Sequence, residues 1–351
     1  MNTNKIKTGV ASFGMSGQVF HAPFVELHDG FELTAIVERT KNLSKEKYPN
    51  ARIVRSFDEL IAIPELELVV VNTPDMTHYD YCKKALNAGK NVIVEKPFVF
   101  DVAQGEELKK RAEEKGLLLT VYQNRRWDSD YLTVKKVMES GMLGRPMEFI
   151  STYERYRDAV PGTTWKETAD NRVGTTYNLG THTIDQIVQL FGMPDSLWAT
   201  IDVLRDQGQI DDYFQIQMLY PKLKVTARGG FMIRDAGPRF AIHGMKGSFL
   251  KFGLDVQEDA LKRGEKPGTP GWGMEPESIW GTVKQVTNNG LTVKGKVESV
   301  PGNYFSYYDN IYAVLREGAE PAVKLNDVLN VLRIIDAAFE SNRTGVRVNL
   351  K

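Results

Sequence analysis

The sequence predicts two domains, and two observations carry that prediction. Over residues 1–123, apolar runs of strand length alternate with helical stretches, the pattern of a doubly wound parallel sheet with right-handed crossovers. Over residues 124–351, longer strand-like runs follow one another, and tight turns between such runs favour antiparallel pairing. The fold class is therefore α/β, followed by an α+β domain with a large, mainly antiparallel open sheet.

A glycine-bearing turn follows the first apolar run, Lys5 to Phe13, and opens a helical stretch. Gly14 would let the backbone approach a pyrophosphate closely, and Gly17 would let the helix and the strand pack tightly. The helix N-terminus adds free N–H groups and a partial positive charge, which favour an anion. This order is typical of a Rossmann-type dinucleotide site. Ser12 replaces the first glycine of the G-x-G-x-x-G motif. A serine fits at that position if the turn needs no positive φ. The residues predicted to bind the cofactor here are Ser12, Phe13, Gly14, Met15, Ser16 and Gly17.

An acidic residue ends the second strand. Phe31 to Val37 is an apolar run that stops at Glu38, about 20 residues beyond the glycine turn, where a carboxylate can accept hydrogen bonds from the adenine ribose of NAD. The neighbouring Arg39 can instead pair with the 2′-phosphate of NADP. Because Glu38 would repel that phosphate, the sequence favours NAD and leaves NADP open.

The rest of the first domain continues the alternation. We predict a strand at Leu66–Val71, a helix at Thr77–Ala88 capped by Thr77, a helix from Asp101 as its cap to Lys115 before Gly116, and a strand at Leu117–Tyr122. Between the helices, a strand within Asn91 to Pro97 ends at Lys96. Open α/β sheets build their active sites at the carboxyl ends of strands, so Lys96 is a candidate catalytic residue.

The second domain has its own pattern. Predicted strands are Glu148–Tyr156, Trp198–Leu204, Tyr213–Tyr220 and Lys222–Phe231, the last two joined by a Pro-Lys turn, and Asn326–Ser341 is a predicted helix. In the segment from Gly174 to Asp185, a helical spacing puts Asn178, His182 and Asp185 on one face. An amide, an imidazole and a carboxylate there could converge on one substrate.

Composition indicates a small-molecule partner. Lys+Arg and Asp+Glu are both 45 in the 351 residues, so no net charge favours nucleic acid or anionic membrane. The single cysteine, Cys82, cannot form an internal disulfide, and no signal-peptide pattern or membrane-length apolar run is present. We therefore expect a cytoplasmic protein. No metal is expected, because one cysteine and scattered histidines lack ligand spacing.

Several motifs in order resemble the Gfo/Idh/MocA oxidoreductases, a family named after glucose-fructose oxidoreductase and inositol dehydrogenase. Glu95-Lys96-Pro97 matches the family's E-K-P motif, and Thr73-Pro74 followed by His78 matches another. The G-x-H-x-x-D of Gly180, His182 and Asp185 matches a third, so the resemblance spans nearly the whole chain. The segment from Gly14 to Pro23 is similar to the branch that contains scyllo-inositol dehydrogenases.

The resemblance implies roles for residues that spacing alone does not assign. It implies that His182 is the general base, that Lys96 holds the substrate oxygen and the cofactor, and that Asn178 stands where many relatives carry an aspartate. An amide cannot take a proton, so the base strength of His182 would then depend on Asp185. Further implied cofactor contacts are Thr73, Pro74, His78, Glu95, Asn124, Trp165, Lys166 and Tyr304. Arg125, Arg126 and Trp127 are candidate substrate contacts.

The resemblance also implies that the sheet and the His182 helix of the second domain close over the nicotinamide, and that the protein is a homodimer or homotetramer. Three functions stay open at this point. The leading one is an NAD(P)-dependent dehydrogenase that acts on a CH–OH group of a sugar or cyclic polyol. The alternatives are an NAD-dependent glycosidase of the same family, and a non-catalytic nucleotide-sensing protein indicated by the departures at Ser12 and Asn178.

Overall fold

The computed structural model describes residues 5–160 and 174–350. These residues divide into two compact units. The first contains residues up to 124, 257–272 and 303–329, and the second contains 125–256, 273–302 and the residues from 330 onwards. The sequence analysis divides the chain between residues 123 and 124. In the structure the first unit runs to residue 124, and two later segments, 257–272 and 303–329, cluster with it.

The first unit holds a six-stranded parallel sheet in the order β3-β2-β1-β4-β5-β6. This is the Rossmann order, and its reversal between β1 and β4 is where such sheets bind dinucleotides. The α/β prediction is confirmed. The strands are β1 (Ile6–Val10), β2 (Phe31–Val37), β3 (Arg52–Val54), β4 (Leu68–Val71), β5 (Asn91–Val94) and β6 (Leu119–Val121).

The second unit holds a nine-stranded sheet in the order β14-β13-β12-β11-β7-β10-β9-β8-β15. Among the described strands of this sheet, only β7 and β10 pair in parallel, so the prediction of a mainly antiparallel sheet is confirmed. The strands are β7 (Pro146–Glu154), β8 (Ser196–Asp202), β9 (Tyr213–Tyr220), β10 (Leu223–Gly230), β11 (Phe240–Gly244), β12 (Gly247–Lys251), β13 (Gly281–Val286), β14 (Thr292–Val297) and β15 (Val348–Asn349).

Ten α-helices lie in the described residues, none of them long and apolar enough to cross a membrane. They are α1 (Ala22–Leu27), α2 (Ser44–Lys47), α3 (Phe57–Ile61), α4 (His78–Asn87), α5 (Val102–Lys115), α6 (Ser129–Glu139), α7 (Thr181–Phe191), α8 (Gln257–Lys262), α9 (Phe305–Glu317) and α10 (Leu325–Thr344). Two π-helical turns precede helices, at Gly17–His21 before α1 and at Thr176–Gly180 before α7.

Local signals explain two of the helix ends. Asp101 accepts a hydrogen bond from the Ala103 N–H at 2.7 Å, and Gly116 ends α5 in the left-handed region, as predicted. Thr77 is the N-cap residue of α4, as predicted, but its side chain makes no capping hydrogen bond. Its hydroxyl donates to the Pro74 carbonyl at 2.7 Å, because Asp75–Thr77 forms a 3₁₀ turn before α4 begins at His78.

The β9–β10 hairpin turn is strained, since Lys222 has a φ of 58°. A lysine side chain is disfavoured in this region, where glycine is not. We predict that Lys222→Gly raises the free energy of unfolding by up to about 1 kcal/mol. The matched control is Lys224→Gly, on β10, which we expect to destabilise by about 0.5–1 kcal/mol. Equal effects of the two variants in thermal or urea unfolding would contradict this account.

Candidate active site

The turn after β1 has the geometry of a phosphate cradle. The Gly14 N–H donates to the Ser12 hydroxyl oxygen at 3.2 Å, and Ser12 has no positive φ, so serine is accommodated at the first motif position. Gly14 and Met15 are exposed. A Cβ on Gly17 would lie 2.1 Å from the Ser12 carbonyl oxygen, so only glycine allows this close approach.

Asn72, which the sequence analysis missed, holds this turn from the end of β4. Its amide donates to the Ser12 carbonyl at 2.8 Å, and its side chain also lies 3.0 Å from the place of a Gly17 Cβ. Asn72 is buried. Its position directly after an apolar strand, next to the predicted Thr73-Pro74 motif, is the signal that would have found it.

Glu95 joins the glycine turn to the end of β5. Its side chain is 15 % exposed and accepts hydrogen bonds from the Ser16 hydroxyl, from His21 Nε2 at 3.0 Å and from the Lys96 N–H at 3.2 Å. Burial alone would raise the pKa of Glu95, but the hydrogen bond and charge of His21, the Ser16 hydroxyl and the Lys96 charge together lower it to about 2. An ionised carboxylate is thus fixed beside Lys96.

The Thr73-Pro74 loop and the Lys96-Pro97 loop are tied together by His78. Its side chain is fully buried, with Nδ1 2.8 Å from the Pro97 carbonyl oxygen and Nε2 3.0 Å from the Thr73 carbonyl oxygen. Thr73 is half-buried and its hydroxyl bonds that of Thr77 at 2.6 Å, while Pro74 is exposed. His78 therefore positions the two loops through their backbones.

Glu38 does not present a free carboxylate at the end of β2. It is buried, and it accepts hydrogen bonds from the Leu43 N–H at 2.8 Å and from the N–H and hydroxyl of Ser44 at 2.8 and 2.5 Å. Burial raises its pKa, but the Ser44 and Leu43 hydrogen bonds and the charge of Arg55 lower it overall. Three of about four acceptor positions are therefore used within the protein. Arg39, by contrast, is exposed.

The remaining cofactor candidates of the first unit are less accessible. Asn124 is buried in a 3₁₀ turn at Asn124–Trp127. Tyr304 is fully buried, its ring 6.4 Å from that of Phe20 and 6.3 Å from that of Phe24. Its backbone N–H donates to Gln257 at 2.9 Å. Trp165 and Lys166 lie outside the described residues.

In the second unit, α7 carries His182 and Asp185, both buried. His182 and Asp185 are three residues apart in one α-helix and therefore lie on the same side of it. Asn178 lies in the preceding π-helical turn and, unlike them, is exposed. Convergence of the three side chains on one substrate stays a prediction.

Asp185 is paired with Arg126. Both carboxylate oxygens accept from the guanidinium, at 2.8 and 2.7 Å, and both side chains are buried. Arg125 similarly donates to Asp128 at 3.1 Å. Of the residues proposed to bind substrate or to support His182, Arg126 and Asp185 thus bind each other in a bidentate pair.

Two groups that the sequence analysis missed support the helix of His182. Asp211 accepts from the N–H and hydroxyl of Thr176, both at 2.7 Å, and a Cβ on Gly174 would lie 1.7 Å from its carboxylate. Buried Arg239 donates to the Gln186 side chain at 2.7 Å, and Gln186 donates to the Arg125 carbonyl at 2.8 Å. These contacts are between residues distant in sequence, which motif spacing does not reveal.

The donor set of the first unit fits a nicotinamide dinucleotide. A pyrophosphate site needs three features that are present here. They are the reversal of strand order between β1 and β4, an exposed backbone at Gly14, and the close approach of the helix backbone to Ser12 at Gly17. Ser12 to Gly17 would hold the diphosphate, and Thr73, Glu95 and Lys96 follow the strands that border the nicotinamide half.

Comparisons with known proteins agree with this reading. Residues 6–123 match the model of the oxidoreductase family's NAD-binding Rossmann fold, and residues 135–350 match that of the family's C-terminal alpha/beta domain. The chain therefore belongs to the Gfo/Idh/MocA oxidoreductase family, as its motifs indicated. It is an NAD(P)-binding oxidoreductase.

Individual relatives are similar over almost their whole length. The chain is 40% identical over 338 residues to the scyllo-inositol 2-dehydrogenase (NADP(+)) of Bacillus subtilis, covering 96% of this chain and 94% of that protein. A crystal structure described as an oxidoreductase from Bacteroides fragilis is 50% identical with a TM-score of 0.91, covering 99% of this chain and 100% of the other. An oxidoreductase structure from Bacillus subtilis is 38% identical with a TM-score of 0.96, covering 100% of this chain and 100% of the other.

The close approach at Gly17 is testable. We predict that Gly17→Ala destabilises the first unit by about 1–3 kcal/mol, because the new methyl group meets a backbone oxygen that cannot rotate away, and that it weakens NADPH binding at least about tenfold. The control is Gly14→Ala, whose Cβ would meet only the Ser12 hydroxyl at 3.4 Å and should leave thermal stability unchanged. Unfolding curves and fluorescence titration with NADPH measure both effects, and an unperturbed Gly17→Ala protein would contradict the packing argument.

Proposed function

We propose that this protein is an NADP(H)-dependent dehydrogenase that transfers hydride between the nicotinamide and a secondary alcohol of a cyclic polyol or sugar, with inositols as the leading substrates. The observation that carries the proposal is Lys96, two residues beyond the carboxyl end of β5 and beside the ionised Glu95. The similarity to a scyllo-inositol 2-dehydrogenase over nearly the whole chain supports the substrate class.

The chemistry requires a base and a cation at the reacting oxygen. When bound, the nicotinamide cofactor supplies the hydride acceptor. The Lys96 ammonium holds the substrate oxygen and stabilises negative charge that develops on it as the proton leaves. The Lys96 charge is in turn one of the influences that lower the pKa of the neighbouring Glu95 carboxyl. Lys96 is thus an electrostatic catalyst in this proposal.

His182 is the proposed general base. It is buried on α7, and family motif position rather than geometry assigns its role. Asp185 binds Arg126 in a bidentate pair, so its contribution is to hold the buried side of α7 in place. The exposed Asn178 amide cannot accept the proton.

The cofactor preference follows from the end of β2. Glu38, the residue that would bind the adenine ribose of NAD, instead caps the backbone at Leu43 and Ser44. Arg39 is exposed next to it and can bind a 2′-phosphate with two parallel hydrogen bonds. This geometry supports NADP and reverses the preference for NAD that the sequence alone gave. The NADP(+) dependence named for the Bacillus subtilis relative agrees with it.

Two other expectations stay predictions: residence in the cytoplasm and assembly as a homodimer or homotetramer. Of the alternative functions, glycoside cleavage without net formation of reduced cofactor would identify the glycosidase. Tight cofactor binding without turnover on any polyol or sugar would identify the sensing protein.

The role of Lys96 gives a direct test. We predict that Lys96→Met lowers kcat about 100- to 1,000-fold, because it removes one preorganised donor to the developing negative charge. The assay is reduced-nicotinamide absorbance with NADP⁺ or NAD⁺ and a panel of inositols, aldoses and sugar acids. Lys84→Met is the matched control, since Lys84 is exposed on α4 and pairs with Asp58. Full activity of Lys96→Met would refute the proposed mechanism.

The cofactor preference has its own test. We predict that Arg39→Ala weakens NADPH binding about 10- to 100-fold, the worth of hydrogen bonds to a charged group, and leaves NADH binding within about twofold. Arg52→Ala is the control, because Arg52 is an exposed arginine at the amino-terminal end of β3 and pairs with Glu65 at 2.8 Å. Equal losses for both cofactors, or tighter binding of NADH than NADPH by the wild type, would overturn the preference.

A further inference from the structure

His21 is a fully buried histidine to which neither the family motifs nor the proposed chemistry gives a role. It ends the π-helical turn that starts at Gly17, directly after the glycine turn. Its Nε2 lies 3.0 Å from Glu95 Oε1, and its Nδ1 lies 2.8 Å from the Tyr308 hydroxyl on α9. One imidazole thus joins a buried tyrosine to the carboxylate beside Lys96.

The hydrogen-bond roles follow from the partners. Ionised Glu95 can only accept, so Nε2 must carry a proton. In neutral His21, Nδ1 then accepts from the Tyr308 hydroxyl. In protonated His21, Nδ1 donates to that oxygen, and the Tyr308 hydroxyl can turn to the Phe20 carbonyl at 3.4 Å. The pocket therefore satisfies both protonation states of His21 without moving a heavy atom.

Three side chains of the first unit contact the His21 imidazole. Tyr308 comes from α9, Glu95 follows β5, and Tyr122 follows β6 with its ring 4.5 Å from the imidazole. The Tyr122 hydroxyl donates to the Phe20 carbonyl at 3.2 Å, and Tyr307 packs edge-on against Tyr122 at 4.9 Å. Among these contacts, Glu95 is the acidic group that bonds His21.

We propose that His21 is a positioning residue that holds Glu95 ionised and aimed between the glycine turn and Lys96. Through Glu95, His21 links the Ser16 hydroxyl of the turn to the backbone N–H of Lys96. This link fixes the position of the pyrophosphate cradle relative to Lys96. The inference rests on the proposed function only for the role of Lys96. The link among Ser16, Glu95 and His21 stands on its own contacts.

The charge balance supports this role. Burial opposes ionisation of Glu95, and His21 is the largest influence that favours it, ahead of Ser16 and Lys96. The lowered pKa gives a definite sign. The ionised form contributes stability that is fully present above about pH 4.5 and is lost as the pH falls towards about 2. Removing His21 takes away the largest influence that lowers the pKa of Glu95, so we expect this stability at neutral pH to shrink.

The test is a double-mutant cycle on the full chain, with His21→Phe, Glu95→Gln and the double variant. Phenylalanine keeps a ring against Tyr122 and removes the donor to Glu95. We expect each single variant to weaken NADPH binding about tenfold, and the double variant to bind no more weakly than Glu95→Gln alone, because both changes act on one interaction. Additive losses would overturn the proposal.

Thermal unfolding from pH 8 to about pH 2 supplies a second readout that needs no cofactor. In the wild-type background, Glu95→Gln should lower the melting temperature at pH 7, and the difference should narrow as the pH falls below about 4.5. In the His21→Phe background, the decrease in melting temperature that Glu95→Gln causes at pH 7 should become smaller or change sign. His21→Gln, whose amide N–H reaches the position of Nε2, should restore most of the wild-type behaviour, whereas identical behaviour of His21→Gln and His21→Phe would contradict a role through Glu95.

These outcomes separate the two proposals. If the unfolding data show that the effects of the His21 and Glu95 variants are coupled, but Lys96→Met is active, the positioning role of His21 stands and the catalytic role of Lys96 is refuted. Absent coupling with an inactive Lys96→Met enzyme would do the reverse. If His21→Phe fails to fold, the same cycle is run with His21→Leu, which also removes the donor to Glu95, and additivity of its loss with that of Glu95→Gln would equally overturn the inference.

Discussion

The candidate site of the first unit depends on keeping one nearly buried carboxylate ionised. An uncompensated buried charge is costly, so Glu95 can be an anion only because three donors converge on it. They come from the glycine turn, from the π-helical turn and from the backbone of Lys96. The carboxylate therefore makes the parts of the site interdependent, since each part supplies a hydrogen bond that the anion requires.

The second unit also has buried charged groups held by hydrogen bonds, here around helix α7. Asp185 is ionically paired with Arg126, and Asp211 satisfies the N–H groups that begin the helical stretch before α7. Arg239 and Gln186 extend these contacts to β7 and to Arg125. In each unit, buried charged and polar groups surround the element that carries a proposed catalytic residue: Lys96 in the first and His182 in the second.

Local patterns in the sequence predicted much of this fold. The bounds of β2 and β9 agree with prediction, as do the Asp101 cap and the end of α5 at Gly116. Periodicity and capping are local, so the sequence records them directly. The Ser12 substitution was also judged correctly, because a turn without positive φ tolerates serine.

The sequence did not reveal contacts made by distant residues. His21 is 74 residues from Glu95 and 287 from Tyr308, and no motif spacing joins them. Glu38 occupies the motif position for ribose binding, but its carboxylate accepts hydrogen bonds from Leu43 and Ser44 within the protein. Asn178 is exposed although His182 and Asp185 are buried, and nothing in the residue pattern of Thr176–Gly180 signals the π turn in which it lies.

The most direct test of this account is the titration of Glu95 itself. We would label the protein with ¹³C at glutamate side-chain carboxyl carbons and assign the Glu95 resonance by its absence in Glu95→Gln. The account predicts a resonance that stays at the position of an ionised carboxylate as the pH is lowered through 4.5, the ordinary pKa of glutamate. A Glu95 resonance that titrates at or above pH 4.5 would show that the carboxylate is not held as an anion, and the central interaction proposed for the site would be wrong.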